Sequence, residues 1–285
     1  DTNAHTTAYD QQKATLAIRP TAATWKKVSA TDSASTKHYM TWTSYTEYAT
    51  LVQSATNSLN FTVTETVPAR VSGDLKALDG GSLGSASDDE TGGQLIWRAF
   101  WTKDSAKASD LGTFEIVDGK DLSYNNQSSN PNTTGALVSE AFASANNLKV
   151  GDTLKVAAAS DAKTTAKLKV RGIYKYTSES AVANPVTAAR NRENAIFTNY
   201  QTFAKAGLDP QSTDKTVSGW AVPDLDVVFD AGDSATYKSL VSTLKKSKLP
   251  AKGYEFSSPS LESYNASLEP LDTPVSYTHL TLPTT

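Results

Sequence analysis

The chain has no cysteine. That excludes a disulfide framework, a cysteine-type zinc site and a thiol nucleophile, and it suits a bacterial surface protein that never relies on disulfides. Histidine is scarce as well, with only His5, His38 and His279. No paired histidine spacing exists, so no metal site is expected. His38, beside Lys37, reads as a lone surface histidine. No run reaches the ~18 apolar residues that span a bilayer. No signal peptide is evident, and a start at Asp1 reads as a piece cut from a longer protein. Charge of one sign is lacking too: 27 basic residues meet 30 acidic ones, for a net charge of -3. A phosphate backbone needs a basic footprint, so nucleic acid is not an expected partner. Lys245, Lys246 and Lys248 form the tightest basic run and read as the solvated end of a helix, where cations suit the dipole.

Catalytic signatures are missing in the same way. There is no G-x-S-x-G, P-loop or dinucleotide fingerprint. Gly80-Gly81 and Gly92-Gly93 read as loop glycines, because no apolar strand runs directly into them. Asp88-Asp89-Glu90 lacks the oxygen spacing of a calcium loop and reads as a solvated acidic stretch. Among 30 acidic residues some carboxylate pairs arise by chance, so none is singled out. No catalytic, cofactor-binding or metal residue is nominated, no cofactor is expected, and the chain reads as a protein other than an enzyme.

What is present is a polar chain of 285 residues, 38% hydrophobic and 20% charged, enough for one large domain or two modest ones. Thr, Ser and Ala dominate Thr31 to Thr36 and Ala157 to Ala166, which predicts thin cores. Thr15 to Arg19 alternates and meets Pro20, as a short strand would. Trp25 to Tyr39 reads as a mixed loop. Tyr45, Tyr48, Val52 and Ala55 fall near a 3.6 period, predicting a helix over 43–57 capped by Thr41 or Thr43. Strands are expected over 61–67, 94–101, 114–119, 136–138, 153–158, 166–174, 195–198, 225–229 and 254–256. Helices are expected over 139–147, capped by Ser139, and over 200–206, 234–248 and 260–268. Asp79 to Gly93 reads as a mobile loop, and Gly172 to Asn194 as a long excursion without a period.

This order of elements predicts an α+β fold with mixed sheets. A βαβ-containing subdomain is expected from both chain ends, over 14–113 plus 222–272. A β-rich subdomain is expected to be inserted between them, over 114–221.

The middle of the chain also carries a resemblance. Ala136 to Ala143, followed by Asn147-Leu148-Lys149-Val150-Gly151-Asp152-Thr153-Leu154, resembles a phrase of the MacB-like periplasmic core domain. There a strand, a short helix and a tight Gly-Asp turn lead into another strand. Phe114 to Gly119 upstream and Val170-Arg171-Gly172-Ile173-Tyr174 downstream resemble neighbouring segments of that family, in the same order. The physical logic fits, since Gly151 permits a tight turn and Asp152 can bond its own backbone there. All these motifs are structural.

The resemblance implies an extracytoplasmic domain of an ABC transporter permease of the FtsX/MacB type, from a Gram-positive bacterium and held at the cell membrane. It implies a membrane-proximal subdomain made from both chain ends and a second subdomain inserted into it. The partners it implies are an ATPase subunit reached through membrane helices outside this chain, a second permease copy, and a partner or peptide substrate outside the membrane. The function it implies is mechanical transmission of ATP-driven helix movement. A ligand-sensing module for an antimicrobial peptide is one alternative, and a surface adhesin built of independent β-sandwiches without the helices at 43–57 and 234–248 is another. Residues 273–285 resemble translated sequencing adapter and read as a non-native tail. Two aromatic groups stand out, Trp97, Phe100 and Trp101 in one strand and Trp42, Tyr45 and Tyr48 on one helix. Core packing is the expectation for both, with an open Trp97–Trp101 face as the alternative that would admit a partner.

Overall fold

The structure is a computed structural model. It describes Tyr9 and residues 11–30, 33–124, 132–208, 219–249 and 252–272. His5, His279 and the 273–285 tail lie outside these residues.

Among these residues ten strands form one mixed sheet. They are β1 (Lys13–Pro20), β2 (Phe61–Val71), β3 (Leu95–Phe100), β4 (Phe114–Gly119), β5 (Gly135–Ser139), β6 (Thr153–Ala158), β7 (Asp161–Tyr176), β8 (Ala195–Asn199), β9 (Asp224–Asp233) and β10 (Tyr254–Ser257). The order is β10-β1-β9-β2-β3-β8-β5-β7-β4, and β6 pairs with both β2 and β7. The fold is α+β, as the element order predicts.

β1 and β9 run antiparallel, with Leu16 opposite Phe229 and Ala17 opposite Val228. β9 is also antiparallel to β2, with Phe61 opposite Phe229, and β10 is antiparallel to β1. β1 and β2 are therefore parallel strands with β9 between them, and β9 and β10 are parallel strands with β1 between them. Helix Trp42–Thr56 joins the first pair and helix Ser234–Lys246 the second. This is a double split β-α-β unit, the ferredoxin-like arrangement. Both chain ends build it.

Local chemistry sets the helix limits. Thr41 caps the first helix, its hydroxyl accepting from the Ser44 N–H at 3.1 Å, and Asn57 ends it at φ 56°. Asp233 caps the second by accepting from the Thr236 N–H at 2.7 Å. Both helices cover one face of the chain-end strands. Tyr45, Tyr48 and Val52 pack there with Leu240 and Leu244 against Leu16, Val63 and Phe229.

The other half closes on itself. β2 pairs β3, β3 pairs β8, β8 pairs β5, β5 pairs β7, β7 pairs β6 and β6 returns to β2. Alternate residues of every strand in this circuit point inward, as in a small barrel. Val67, Trp97, Val138, Val156, Leu168 and Ile196 meet inside. Phe142 of helix Glu140–Ala145, Phe203 of helix Tyr200–Lys205, and Trp220 plug the interior. Ala136, Ala158 and Ala166 line it too, so the small residues noted in the sequence leave room for these three large ones.

Several elements differ from expectation. Part of 25–39 is helical, as the turn Ala22–Trp25 and the 3-10 segment Ser33–His38. β7 starts at Asp161 and runs on to Tyr176, so the excursion begins later than the missing period suggests. Asp88–Thr91 is a helical turn held by a capping box, in which the Glu90 carboxylate accepts from the Ser87 N–H at 2.9 Å. The Gly-Asp turn behaves as its residues require: Gly151 sits at φ 97°, and the Asp152 carboxylate accepts from the Lys149 N–H at 2.9 Å.

Candidate functional site

A cleft of about 270 Å³ opens where the chain-end strands meet the middle of the chain. Its charged floor comes from strand registry. Asp224 stands opposite Thr66 and Asp226 opposite Thr64 on β2, and Thr66 stands opposite Arg98 on β3. Leu225, Val227 and Phe229 alternate with these acids and point to the helix-covered core. The period of 2 thus places the carboxylates on the opposite face.

Arg19 on β1 grips Asp226 with both arms, Nε to Oδ1 at 3.0 Å and Nη2 to Oδ2 at 2.8 Å. The nearby Asp226 carboxylate holds the guanidinium firmly charged, raising its pKa against the opposing effect of burial. Arg98 donates from Nε to Thr66 Oγ1 at 2.9 Å and from Nη1 to Asp110 Oδ1 at 2.5 Å. Asn184 comes from the 177–184 segment and reaches across. Its amide donates to Asp224 Oδ2 at 2.8 Å and to the Tyr39 hydroxyl at 3.4 Å. Its own Oδ1 accepts from the Val186 N–H at 2.9 Å, which fixes the amide orientation. Burial pushes the Asp224 carboxyl up to about 6, with the Asn184 amide pulling the other way. Tyr39 is pushed well above the ordinary tyrosine value, chiefly by burial.

Beside the cleft, Arg190 is buried and donates to the carbonyls of Thr91 and Gly93 at 2.6 and 2.9 Å, and to that of Val186. Burial lowers its pKa to about 10. These bonds tie the segment after Asn184 to the start of β3. Asn184 therefore spans from a rigidly held segment of the middle to the first residue of β9.

This arrangement is a set of polar contacts between strands and loops. Its carboxylates Asp110 and Asp226 are engaged by guanidiniums, and Asp224 by an amide. No group of three or more His, Asp or Glu among the described residues is placed to hold a metal ion.

His38 departs from expectation. It lies in the cleft wall, half-buried, edge-on to Trp25 with ring centroids 5.8 Å apart, rather than alone on the surface. Lys245 and Lys246 are exposed in the last turn of their helix. Trp97 is fully buried, and its indole N–H donates to Thr198 Oγ1 at 2.9 Å. Core packing accounts for it, and the alternative of an open Trp97 face is removed. Trp101 leaves the strand and packs 5.7 Å from Trp42 and 4.9 Å from Tyr200. Tyr45 and Tyr48 are core residues whose hydroxyls donate to the carbonyls of Leu225 and Leu249 at 3.2 and 2.7 Å.

Sequence reading alone did not find the cleft residues. One usable signal was the alternation Asp224-Leu225-Asp226-Val227, which puts two acids on one face of an apolar strand. Another was Arg98 inside the otherwise apolar Leu95 to Phe100.

No family model matches the chain. A curated relative, the "Uncharacterized ABC transporter permease YclI" of Bacillus subtilis (strain 168), is 27% identical over 143 residues, 50% of this chain. The match spans 27% of that relative's length. Among solved structures, the periplasmic region of MacB from Actinobacillus actinomycetemcomitans is 11% identical with a TM-score of 0.41, covering 91% of this chain and 93% of its own. A domain of a putative permease protein from Porphyromonas gingivalis is also 11% identical, with a TM-score of 0.37, covering 87% of each chain. The curated protein this chain is similar to is thus named an ABC transporter permease.

Proposed function

We infer that this chain is the extracytoplasmic domain of an ABC transporter permease, and that it passes movement of membrane helices to a substrate or partner outside the membrane. One observation carries this reading: both ends of the described chain leave the sheet together, on the same side. The Thr15 N–H donates to Ser260 Oγ at 2.9 Å, and the Ser260 N–H donates back to Thr15 Oγ1 at 3.0 Å. Beyond this clamp, Tyr9 and Tyr264 lie 6.2 Å apart, and helix Pro259–Asp272 packs against β1. Two membrane helices joined here would pull on one rigid unit. No helix among the described residues is itself long and apolar enough to cross a membrane.

Within this reading, the chain ends (14–113 with 222–272) form the anchor and the inserted part (114–221) the lever, with β3 and Ala69 to Val71 of β2 reaching from the anchor into the barrel. The cleft is the joint, because Asn184 of the insert bonds Asp224 and Tyr39 of the anchor. An ATPase subunit and a second permease copy complete the machine. ATP binding must favour one docked state over another for the domain to do work. The test uses the full permease with its ATPase in lipid nanodiscs, spin-labelled at the exposed Lys27 and Glu179. The distance distribution is expected to shift when ATP hydrolysis is trapped. One unchanged distribution in apo, ATP-bound and trapped states removes the reading.

The cleft's charge favours a second reading, the sensing of a cationic peptide. Among the described residues lining it, Asp110, Asp224, Asp226, Glu255 and Glu262 face Arg19 and Arg98 as the strong cations. Saturable binding of a cationic peptide, lost in Asp224→Asn, supports that role. The adhesin alternative required separate sandwiches without the two long helices. The single sheet and helices Trp42–Thr56 and Ser234–Lys246 leave it without support.

A further inference from the structure

Among the described residues, the barrel circuit is incomplete along one seam, a flank of β7. β7 is paired with β6 along Asp161 to Lys169. On its other flank β5 joins only at Lys169 and continues toward Tyr174. Among the described residues, no strand lies along that flank from Asp161 to Leu168. The direction of the backbone groups follows from the last paired residues. Val170 turns toward β6, its N–H donating to the Asp152 carbonyl and its carbonyl accepting from the Gly151 N–H, both at 2.8 Å. Lys169 turns the other way, its N–H donating to the Thr134 carbonyl at 2.8 Å. By the period of 2, Lys167 and Thr165 also aim their N–H and C=O groups away from β6. No described residue meets them there.

A groove of about 480 Å³ runs along this flank. One wall is Thr165 to Lys169 of β7. The other is Thr133, Thr134 and the helix residues Thr202, Lys205 and Ala206. Ala166 and Leu168 make an apolar floor, and the rim carries Lys167, Lys169 and Lys205. Among the described residues the groove has no carboxylate in its lining, and no ion pair between them involves these lysines. Lys155 stands opposite Lys167 on β6 and adds to the same field.

Lysines alone can guard a strand edge against unwanted pairing. A guard needs no groove beside it, however, and no lysine from a facing helix. Here unpaired backbone groups, an apolar floor and converging cations from two elements occur together. We propose that this seam receives an extended segment of a partner protein that bears carboxylates, added to β7 as a further strand. Backbone bonds to Thr165 and Lys167 supply affinity, and the lysines select acidic side chains. The five-residue wall corresponds to a segment about 16 Å long, at about 3.3 Å per residue. The groove shares no lining residue with the cleft, so this inference does not rest on the transport reading.

The test uses the whole 285-residue chain and a fluorescein-labelled, end-blocked heptapeptide alternating glutamate with valine. Fluorescence anisotropy is expected to show saturable binding that weakens with salt. A peptide with lysine in place of glutamate should not bind. Lys167→Glu combined with Lys205→Glu should weaken binding at least tenfold while leaving the circular dichroism spectrum intact; if that variant fails to fold, Lys205→Gln is measured in its place and should weaken binding about threefold. Amide exchange at Thr165 and Lys167 should slow in the complex. Absence of saturable binding overturns the proposal and leaves the lysines as edge guards. Equal binding by a peptide N-methylated on the backbone overturns strand addition, because charge alone then suffices. Protection confined to β4 or β10 overturns the location.

Discussion

The chain-end half and the barrel half solve the same packing problem differently. In the chain-end half, strands carry apolar residues on one face, and two long helices cover that face. The core is made from many medium contacts, such as Leu16, Val52, Val63 and Leu244. In the barrel half, the strands curl around their own interior and short helices only plug it. Among the described residues four aromatics, Trp97, Phe142, Phe203 and Trp220, dominate that interior, with Phe203 and Trp220 each 5.3 Å from Trp97. β2 belongs to both, with Phe61 to Thr66 against β9 and Ala69 to Val71 against β6. β2 and the cleft beside it therefore connect the two halves, and the proposed transmission of movement places its joint there.

The sharpest way to break this contrast is to empty each core in turn. Trp97→Ala should cost about 3–5 kcal/mol and Leu244→Ala about 2–5 kcal/mol in urea unfolding. Hydrogen exchange should place the first loss in β3, β5, β7 and β8, and the second in β1 and β9. Equal spread from both variants would mean that the halves are one cooperative unit.

Next in size is the bridge between them. Asn184→Ala should cost about 1–3 kcal/mol, because it leaves buried partners without their donor. Exchange should rise at the start of β9 and in 177–184, with the barrel interior unchanged.

The pH response of the cleft sharpens the comparison further. The folded-state pKa of Asp224 lies near 6, against an ordinary 3.8. The folded chain thus binds this proton more tightly than the unfolded chain. The resulting stability is fully present below about pH 4 and is lost as pH rises through about 6. Asp224→Asn should flatten this slope between about pH 4 and pH 7, as followed by thermal melts across that range. An unchanged slope would assign it to other groups. The smallest expected effect is at the partly exposed ion pair of the anchor, where Arg19→Gln should change stability by only about 0–1 kcal/mol.

Much of the fold was legible in the sequence because periodicity reports burial. Tyr45, Tyr48 and Val52 announce a helix with one wet face, and Phe61 to Val67 announce a half-buried strand. Capping chemistry at Thr41, Ser139 and Asn147 marked helix limits within a residue or two. The closed circuit was not legible, since the pairing of β6 with β2 joins Ala157 to Arg70 across the chain and leaves no local mark. The cleft was hidden for a related reason. Arg19 and Asp226, or Asn184 and Asp224, become neighbours only through registry, and each alone reads as an ordinary surface residue. The extension of β7 to Tyr176 was missed because Tyr174 and Tyr176 pack on Phe197 from across the sheet, a contact that no local period reports.

The most direct test locks the joint. The chain has no cysteine of its own, so Asn184→Cys with Asp224→Cys gives one defined pair within it, in a full permease and ATPase whose other cysteines are replaced. The link is made by oxidation or by a short bis-maleimide. With the cleft tied shut, ATP hydrolysis should continue while coupled transport or signalling stops, and reduction of the disulfide should restore it. Full coupled activity with the link verified in place would contradict the account.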